Sequence, residues 1–328
     1  MMVDRVIYIN WLVIVLVGCI MSSDVMACNL PTRANKYLFP IHKSDHSLRI
    51  LTYNVRGNLP IDQKHGNSWG VRKLKIKSLI DLYKPDLVVL QEVEIGYMND
   101  LIAMFSGHGV IAFDANLVEK DSVILFSASR LQALKGGCFW FSEDPFGSMD
   151  LKPLWDSNYP RMAIYQEFQD CVTSKKLFVF GVHFPSIGEK ARLNCAELLI
   201  QQQAGIAGNL PVIVAGDFNL FLGSNSENVY QTIVSQTGFK DVRSVAQANH
   251  YGPDGTWIGW PYDDYAAPSG CIGIRLDHIF VKGVQIIQDG VLNCKINAAG
   301  NLVGETDSEF DSLTYPSDHL PVIADIYI

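Results

Sequence analysis

Apolar and polar positions change rhythm along this chain, and each change marks an element. Residues 48–55 alternate apolar and polar side chains and predict a strand with Asn54 near its tip. Beyond a loop over 56–70, broken by Gly57, Pro60, Gly66 and Gly70, the spacing becomes helical. Val71, Leu74, Leu79 and Leu82 form its apolar flank until Lys84-Pro85 stops it. Residues 86–93 predict a second strand, an apolar run closed by Gln91 and Glu92. A short helix over 97–105 follows, then strands over 109–113, 122–126, 131–134 and 138–141. After a loop over 142–159, strands over 161–168 and 177–184 flank a hairpin turn, and an amphipathic helix runs from 189 to about 205. A loop over 223–228 and a helix over 229–237, stopped by Gly238, lead into a long aromatic loop over 250–272. Three strands, over 274–281, 284–292 and 320–328, finish the pattern.

Between these helices lies the stretch Pro211-Val212-Ile213-Val214-Ala215-Gly216-Asp217-Phe218-Asn219. Its β-branched run has the composition of a buried strand, and Gly216 lets the backbone crowd a neighbour where the strand ends. In extended backbone Asp217 and Asn219 point the same way and Phe218 the other. A carboxylate and an amide on one face can hold a water, a hard cation or a phosphoryl oxygen; an Asx-rich turn is the plain alternative. Other predicted strand ends carry Asn54, Glu92, Arg161, His183, Asp277, His278, Asp318 and His319. Singly these have ordinary readings: Arg161 as a surface ion pair, His183 as a satisfied core histidine, Asp277 as a turn former. Gathered at one rim, such charge is costly to bury unless paired or metal-bound, and Glu92 with neutral oxygen donors suits Mg²⁺ or Mn²⁺.

Composition narrows the picture. The 328 residues are 48% hydrophobic with no composition shift marking a linker, which supports one large core. Strands in two blocks, with helices after the first strand of each, predict two packed sheets covered by helices. A net charge of -8 argues against a broad basic grip on duplex nucleic acid. The one dense basic stretch, Lys64, Arg72, Lys73, Lys75 and Lys77, reads as the solvated face of a helix.

Residues 6–21 form an apolar run after Arg5, shorter than the roughly 20 residues that span a bilayer and suited to a signal-peptide core. Cleavage after Ala27 divides the chain into a signal peptide (1–27), an N-terminal extension (28–47) and a single domain (48–328). The expectation is export, to the periplasm or medium. Leu16-Val17-Gly18-Cys19 also resembles a lipoprotein box that would lipidate Cys19, and an uncleaved anchor helix is the third option. Cys28, Cys138, Cys171, Cys195, Cys271 and Cys294 lie outside the signal, an even count that permits three disulfides or leaves buried thiols.

Six short motifs stand in order: Leu51-Thr52-Tyr53-Asn54-Val55, Leu90-Gln91-Glu92-Val93, Gly181-Val182-His183-Phe184, Gly216-Asp217-Phe218-Asn219, Leu276-Asp277-His278-Ile279-Phe280 and Tyr315-Pro316-Ser317-Asp318-His319-Leu320-Pro321-Val322. From about Leu48 onward the chain resembles the metal-dependent endonuclease/exonuclease/phosphatase superfamily. Phe139 to Pro145, Trp155-Asp156, Pro160-Arg161 and Gly255 to Trp260 further resemble a bacterial branch of mostly uncharacterised members. The resemblance implies a DNase I-like, four-layer α/β/β/α sandwich of two mixed sheets flanked by helices, and phosphoester hydrolysis. It implies Mg²⁺, with Mn²⁺ as substitute, held by Asn54 and Glu92, with Asp318 and Asp277 reaching it directly or through water. Asp217 becomes the base, Asn219 fixes the water or the phosphoryl oxygen, His319 binds phosphate or shuttles a proton, and His183 and Arg161 stabilise developing charge. Two positions depart from the pattern. The family commonly has Tyr or Trp where this chain has His278, which reads as a packing substitution, and Phe184-Pro185-Ser186 replaces the usual Leu and polar residue after His183.

The leading expectation is therefore an exported phosphodiesterase acting on nucleic acid or nucleotides. A phosphatase or sphingomyelinase-like phospholipase acting on lipid headgroups or inositol phosphates is the alternative, with membrane contact through the Trp257–Trp260 loop or a lipid anchor. A catalytically idle binding protein is a third. Nothing in the sequence marks a stable protein partner.

Overall fold

The computed structural model describes residues 39–113, 121–147, 155–157, 159–220, 226–235, 237–246, 250–260, 262, 274–293, 295–296, 302–303 and 315–328. The signal, lipoprotein and anchor readings, together with Cys28, Cys271 and Cys294, lie outside these residues. In chain order the elements are β1 (Leu48–Asn54), α1 (Pro60–Lys64), α2 (Trp69–Tyr83), β2 (Leu87–Val93), α3 (Ile95–Met104), β3 (His108–Ile111), β4 (Asp121–Ser127), β5 (Leu131–Trp140), β6 (Met162–Asp170) and β7 (Lys176–His183). They continue with α4 (Glu189–Ala207), β8 (Val212–Asp217), α5 (Ser226–Val234), β9 (Lys240–Asp241), α6 (Val242–Val245), β10 (His250–Tyr251), β11 (Asp277–Lys282), β12 (Gln285–Val291), β13 (Lys295–Ile296), β14 (Leu302–Val303) and β15 (Val322–Tyr327).

Two mixed sheets result, ordered β10-β12-β15-β1-β2-β4-β3 and β5-β6-β7-β8-β11-β9. Period-2 alternation along each strand feeds different cores. Ile50, Val89, Ile164, Val179, Ile213 and Ile279 face between the sheets. Leu51 and Val88 face outward onto Ile76, Leu79 and Ile80 of α2, and Phe180, Val214 and Phe280 face Ala196 and Leu199 of α4. Strands buried on both faces need apolar residues at every position, which is why β2 and β8 read as continuous runs. The architecture is the expected α/β/β/α sandwich. The parallel pairs β1–β2 and β7–β8 each need a crossover connection, and α2 and α4 supply it.

Several local expectations are corrected. The inward face of α2 carries Trp69, Arg72, Lys75, Ile76, Leu79, Ile80 and Tyr83, while Val71 and Leu74 of the predicted flank are 39% and 51% exposed. The face is turned because Arg72 is buried as a donor: its guanidinium meets the carbonyls of Val55, Arg56, Gly57 and Asn67. The basic stretch is thus no solvated face. Arg72 and Lys75 are buried, and Lys73 and Lys77 pair with Asp100 and Asp81. The strands expected over 131–134 and 138–141 are one strand, β5, whose register shifts between Ala133 and Gly136. Helix α1, the β9–α6 segment and the β13–β14 pair were not expected. Cys171 and Cys195 are free thiols, which leaves no room for three disulfides; burial pushes the Cys195 thiol up.

Candidate active site

At the carboxyl ends of β1, β2, β7 and β8 the backbone is bent sharply enough to place three non-glycine residues at positive φ: Arg56 at 58°, Glu92 at 60° and Asn219 at 51°. Such backbone costs on the order of 1–3 kcal/mol per residue and persists where surrounding contacts over-determine it. Gly216 is demanded by sterics, since a Cβ there would lie 1.9 Å from the Val182 carbonyl oxygen on the neighbouring strand. That close approach brings His183 and Asp217 into register on the parallel pair, and Asp277 faces Asp217 from the antiparallel β11.

The fold gathers almost every residue singled out in the sequence. Asn54 Nδ2 donates to Asp217 Oδ2 at 3.0 Å and to Glu92 Oε1 at 3.2 Å, tying the two sheets' tips together. Glu92 Oε2 accepts from the Gly57 amide at 2.8 Å, and Asn54 Oδ1 accepts from the Arg56 amide at 2.9 Å. Asp217 Oδ2 lies 3.7 Å from His183 Nε2 and 3.9 Å from His319 Nε2. An Arg161 Nη2 contact at 3.2 Å backs His183. His319 Nδ1 meets Asp277 Oδ2 at 2.8 Å.

Three placements differ from expectation. Asn219 Nδ2 donates to the Phe184 carbonyl at 3.0 Å, so its side chain is committed to the scaffold. Its backbone amide, 2.9 Å from Asp217 Oδ1, is what reaches the site. Asp318 Oδ2 accepts from Arg56 Nη1 rather than standing open to a cation, and its Oδ1 lies 3.2 Å from the Ser317 hydroxyl oxygen. Trp260 is 1% exposed beneath the guanidinium of Arg56, and this burial overturns its expected membrane contact. The packing reading of His278 holds: its Nδ1 lies 3.0 Å from Asp241 Oδ2, its ring stacks on Phe280, and it points away from the site. No helix among the described residues is long and apolar enough to cross a membrane.

Electrostatics set the protonation of the central groups. Burial first, and the like charge of Asp277 second, push Asp217 up to about 7 against the opposing pull of His319, Asn54 and the Asn219 amide. For His319, burial works against the charged ring, but the charge and hydrogen bond of Asp277, with Asp217 and Asp318 behind them, outweigh it and carry the imidazole to about 10. Ligand atoms of Asp217, Asp277 and His319 lie within 4.8 Å of one another. Asp277 Oδ1 is buried with no hydrogen-bond donor, an arrangement a cation would relieve. A protonated His319 has no lone pair to give, so the oxygens that fit a divalent metal here are the open Asp277 carboxylate together with Asn54 and Glu92, which the Asn54 amide ties to this cluster.

Residues that sequence inspection passed over complete the framework. Thr256 Oγ1 accepts from the amides of Leu276 at 2.9 Å and Asp277 at 3.1 Å, and Trp257 bridges the backbone of His319. The Ser317 hydroxyl donates to the Asn54 carbonyl at 2.7 Å. Thr256 and Ser317 stood within quoted motifs, and Arg56 directly followed one. Their roles depend on partners far away in sequence.

The Endonuclease/Exonuclease/phosphatase family profile matches residues 51–319. An uncharacterised protein of Acanthamoeba polyphaga mimivirus, R895, is 22% identical over 317 residues; the match covers 84% of this chain and only 45% of that protein. A solved endonuclease/exonuclease/phosphatase family protein from Bacteroides thetaiotaomicron is 25% identical with a TM-score of 0.73, over 85% of this chain and 97% of its own. A mannosyl-6-phosphatase of the same organism, 24% identical, superposes with a TM-score of 0.71 over 86% of this chain and 100% of its own. The chain belongs to the Endonuclease/Exonuclease/phosphatase family, whose members are phosphoester hydrolases dependent on a divalent metal.

Proposed function

We propose that this protein is an exported, Mg²⁺-dependent phosphodiesterase acting on nucleotides or nucleic acid, with Mn²⁺ as a substitute ion. The observation that carries this reading is the convergence on Asp217 of His183, His319 and Asn54 beside the donorless Asp277 oxygen. Glu92, Asn54 and the acids around Asp277 are the groups that would hold the ion, and an ion there supplies charge neutralisation at a phosphoryl oxygen. Asp217, at about 7, is suited to take a proton from the attacking water near neutral pH, and the Asn219 amide fixes its orientation. His319 keeps its proton over that range and can donate to a phosphate oxygen or to the departing alkoxide. Arg161 and His183 offer further donors to the charge that builds as the ester bond breaks. Because Arg72, Lys75, Lys73 and Lys77 are buried or paired, a nucleotide or short single strand suits this surface better than a long duplex.

The test is a screen of purified protein, with and without Mg²⁺ or Mn²⁺, against dinucleotides, RNA, plasmid DNA, an aryl phosphodiester, inositol phosphates and sphingomyelin vesicles. Metal-stimulated cleavage of the nucleotide-containing diesters is expected. Turnover confined to inositol phosphates or sphingomyelin would replace the proposal with the phosphatase or phospholipase alternative. Export is checked separately, by the mass of the mature protein: a chain beginning at Cys28 is expected, a lipidated Cys19 would mean a tether, and an intact residue 1 would refute cleavage.

A further inference from the structure

Asp318 and the loop after β1 share a partner that the proposed chemistry leaves unused. Arg56 is 6% exposed and sits at positive φ, yet it is saturated with contacts. Its Nε and Nη2 form a two-pronged bond to Asp62, 2.9 Å to each carboxylate oxygen, and its Nη1 donates to Asp318. The guanidinium carbon lies 4.6 Å from the centroid of the Trp260 ring, and that of Arg72 approaches the same ring at 5.8 Å. Arg72 in turn grips the carbonyls of Arg56 and Gly57 at 3.0 and 3.2 Å. The amides of these two loop residues are the donors that hold Asn54 Oδ1 and Glu92 Oε2. One planar cation thus joins α1, the aromatic loop and the segment carrying His319.

We propose that Arg56 is a positioning residue of the hydrolytic site, reaching the metal-binding oxygens only through other groups. Its Nη1 holds Asp318 beside His319, while its own amide, on a backbone clamped by Arg72, orients Asn54 and sits next to the amide that orients Glu92. Asp62, fully buried on α1, sets the angle of the fork, and the Trp260 ring packs against its face. This inference rests on the proposed metal-dependent hydrolysis. A lysine cannot reproduce the role, because a single ammonium lacks the rigid fork needed to serve Asp62 and Asp318 together.

The test measures Mn²⁺ binding by electron paramagnetic resonance alongside steady-state kinetics on an aryl phosphodiester, for the parent, Arg56→Lys and Asp62→Asn. Thermal melts confirm folding. Arg56→Lys is expected to weaken Mn²⁺ binding and lower kcat by ~10–100-fold each, the scale seen when groups behind metal ligands are removed. KM should stay near the parent value. Asp62→Asn should shift both quantities in the same direction by less. Parent-like Mn²⁺ affinity in folded Arg56→Lys overturns the inference; if that variant does not fold, parent-like affinity in Asp62→Asn does so. A parent that binds Mn²⁺ but cleaves no phosphoester refutes the proposed hydrolysis and leaves the titration to decide Arg56. A parent that binds no Mn²⁺ overturns both.

Discussion

The parallel strand pairs at the site, β1–β2 and β7–β8, are built alike and finished differently. Each is joined by a helix packed on the outer face of its sheet, and each ends at the same rim. At the first pair the tips are Asn54 and Glu92, whose oxygens are aimed by backbone amides from the loop at Arg56 and Gly57. At the second the tips are His183 and Asp217, set against other titratable groups: each other, Arg161 and His319. Fixed amides hold oxygens in one geometry without exchanging protons, whereas imidazoles and carboxylates at close range shift one another's protonation. The same scaffold therefore gives a half fit for gripping a cation and a half fit for moving a proton.

That division can be broken most directly at Asp217. Asp217→Asn should lower kcat on an aryl phosphodiester by ~10²–10⁴-fold, the usual worth of a general base, with the metal requirement little changed. A metal requirement that rose in step with the lost rate would erase the distinction between the halves. Glu92→Gln should do the reverse, raising the Mg²⁺ concentration for half-activity by roughly tenfold or more while saturating metal restores most of kcat. An unchanged titration would remove Glu92 from the ion.

A pH profile sharpens the second half. Asp217 acts as a base only when deprotonated, so kcat should climb tenfold per pH unit below about 7 and then level. It should fall again as His319 loses its proton near 10. Because burial still raises Asp217 once the repelling charge is gone, an Asp277→Asn variant should move the acid limb to lower pH without abolishing it, and a limb that did not move would not belong to Asp217.

The smallest effect lies behind the second pair, where His278 stands opposite Gly216 and bonds Asp241. Burial works against the Asp241 carboxylate, but the His278 hydrogen bond and charge prevail and bring it down to about 2. A depressed folded value stabilises the protein above the unfolded carboxylate range near 4, and the gain is lost as pH falls through about 2. Asp241→Asn should thus cost on the order of 2 kcal/mol in urea melts at pH 6, with the deficit shrinking toward pH 2 and the kinetics untouched. A deficit independent of pH would mean that the pair contributes packing alone.

Much of this was legible in the linear pattern. Runs such as Val212 to Val214 must be apolar throughout because sheet and helix cover both faces, and short acidic or amide tips after such runs are hard to mistake. What escaped was buried polarity. Arg72 rotated α2 away from its apparent apolar flank, since a cation that satisfies loop carbonyls belongs inside. Gly136 and Gly137 looked like a break in β5 but sit where its register shifts. Arg56 gave no local sign of its importance, because one carboxylate partner is six positions away and the other lies near the far end of the chain. Asn219 reads as a site residue through its side-chain amide, but the Phe184 carbonyl takes that group and the backbone amide meets Asp217 instead.

Strand β15 lies beside β1 in the middle of its sheet, pairing Leu48 with Ile326. During synthesis β1 therefore emerges before all the other strands of its sheet and waits with one edge open until β15 follows them. Asp318 and His319 arrive with that same late strand, so a nascent or truncated chain would lack both a closed sheet and a complete set of reactive groups. Coupling the closing of the sheet to the completion of the site in this way would keep chains that lack β15 from cutting phosphoesters.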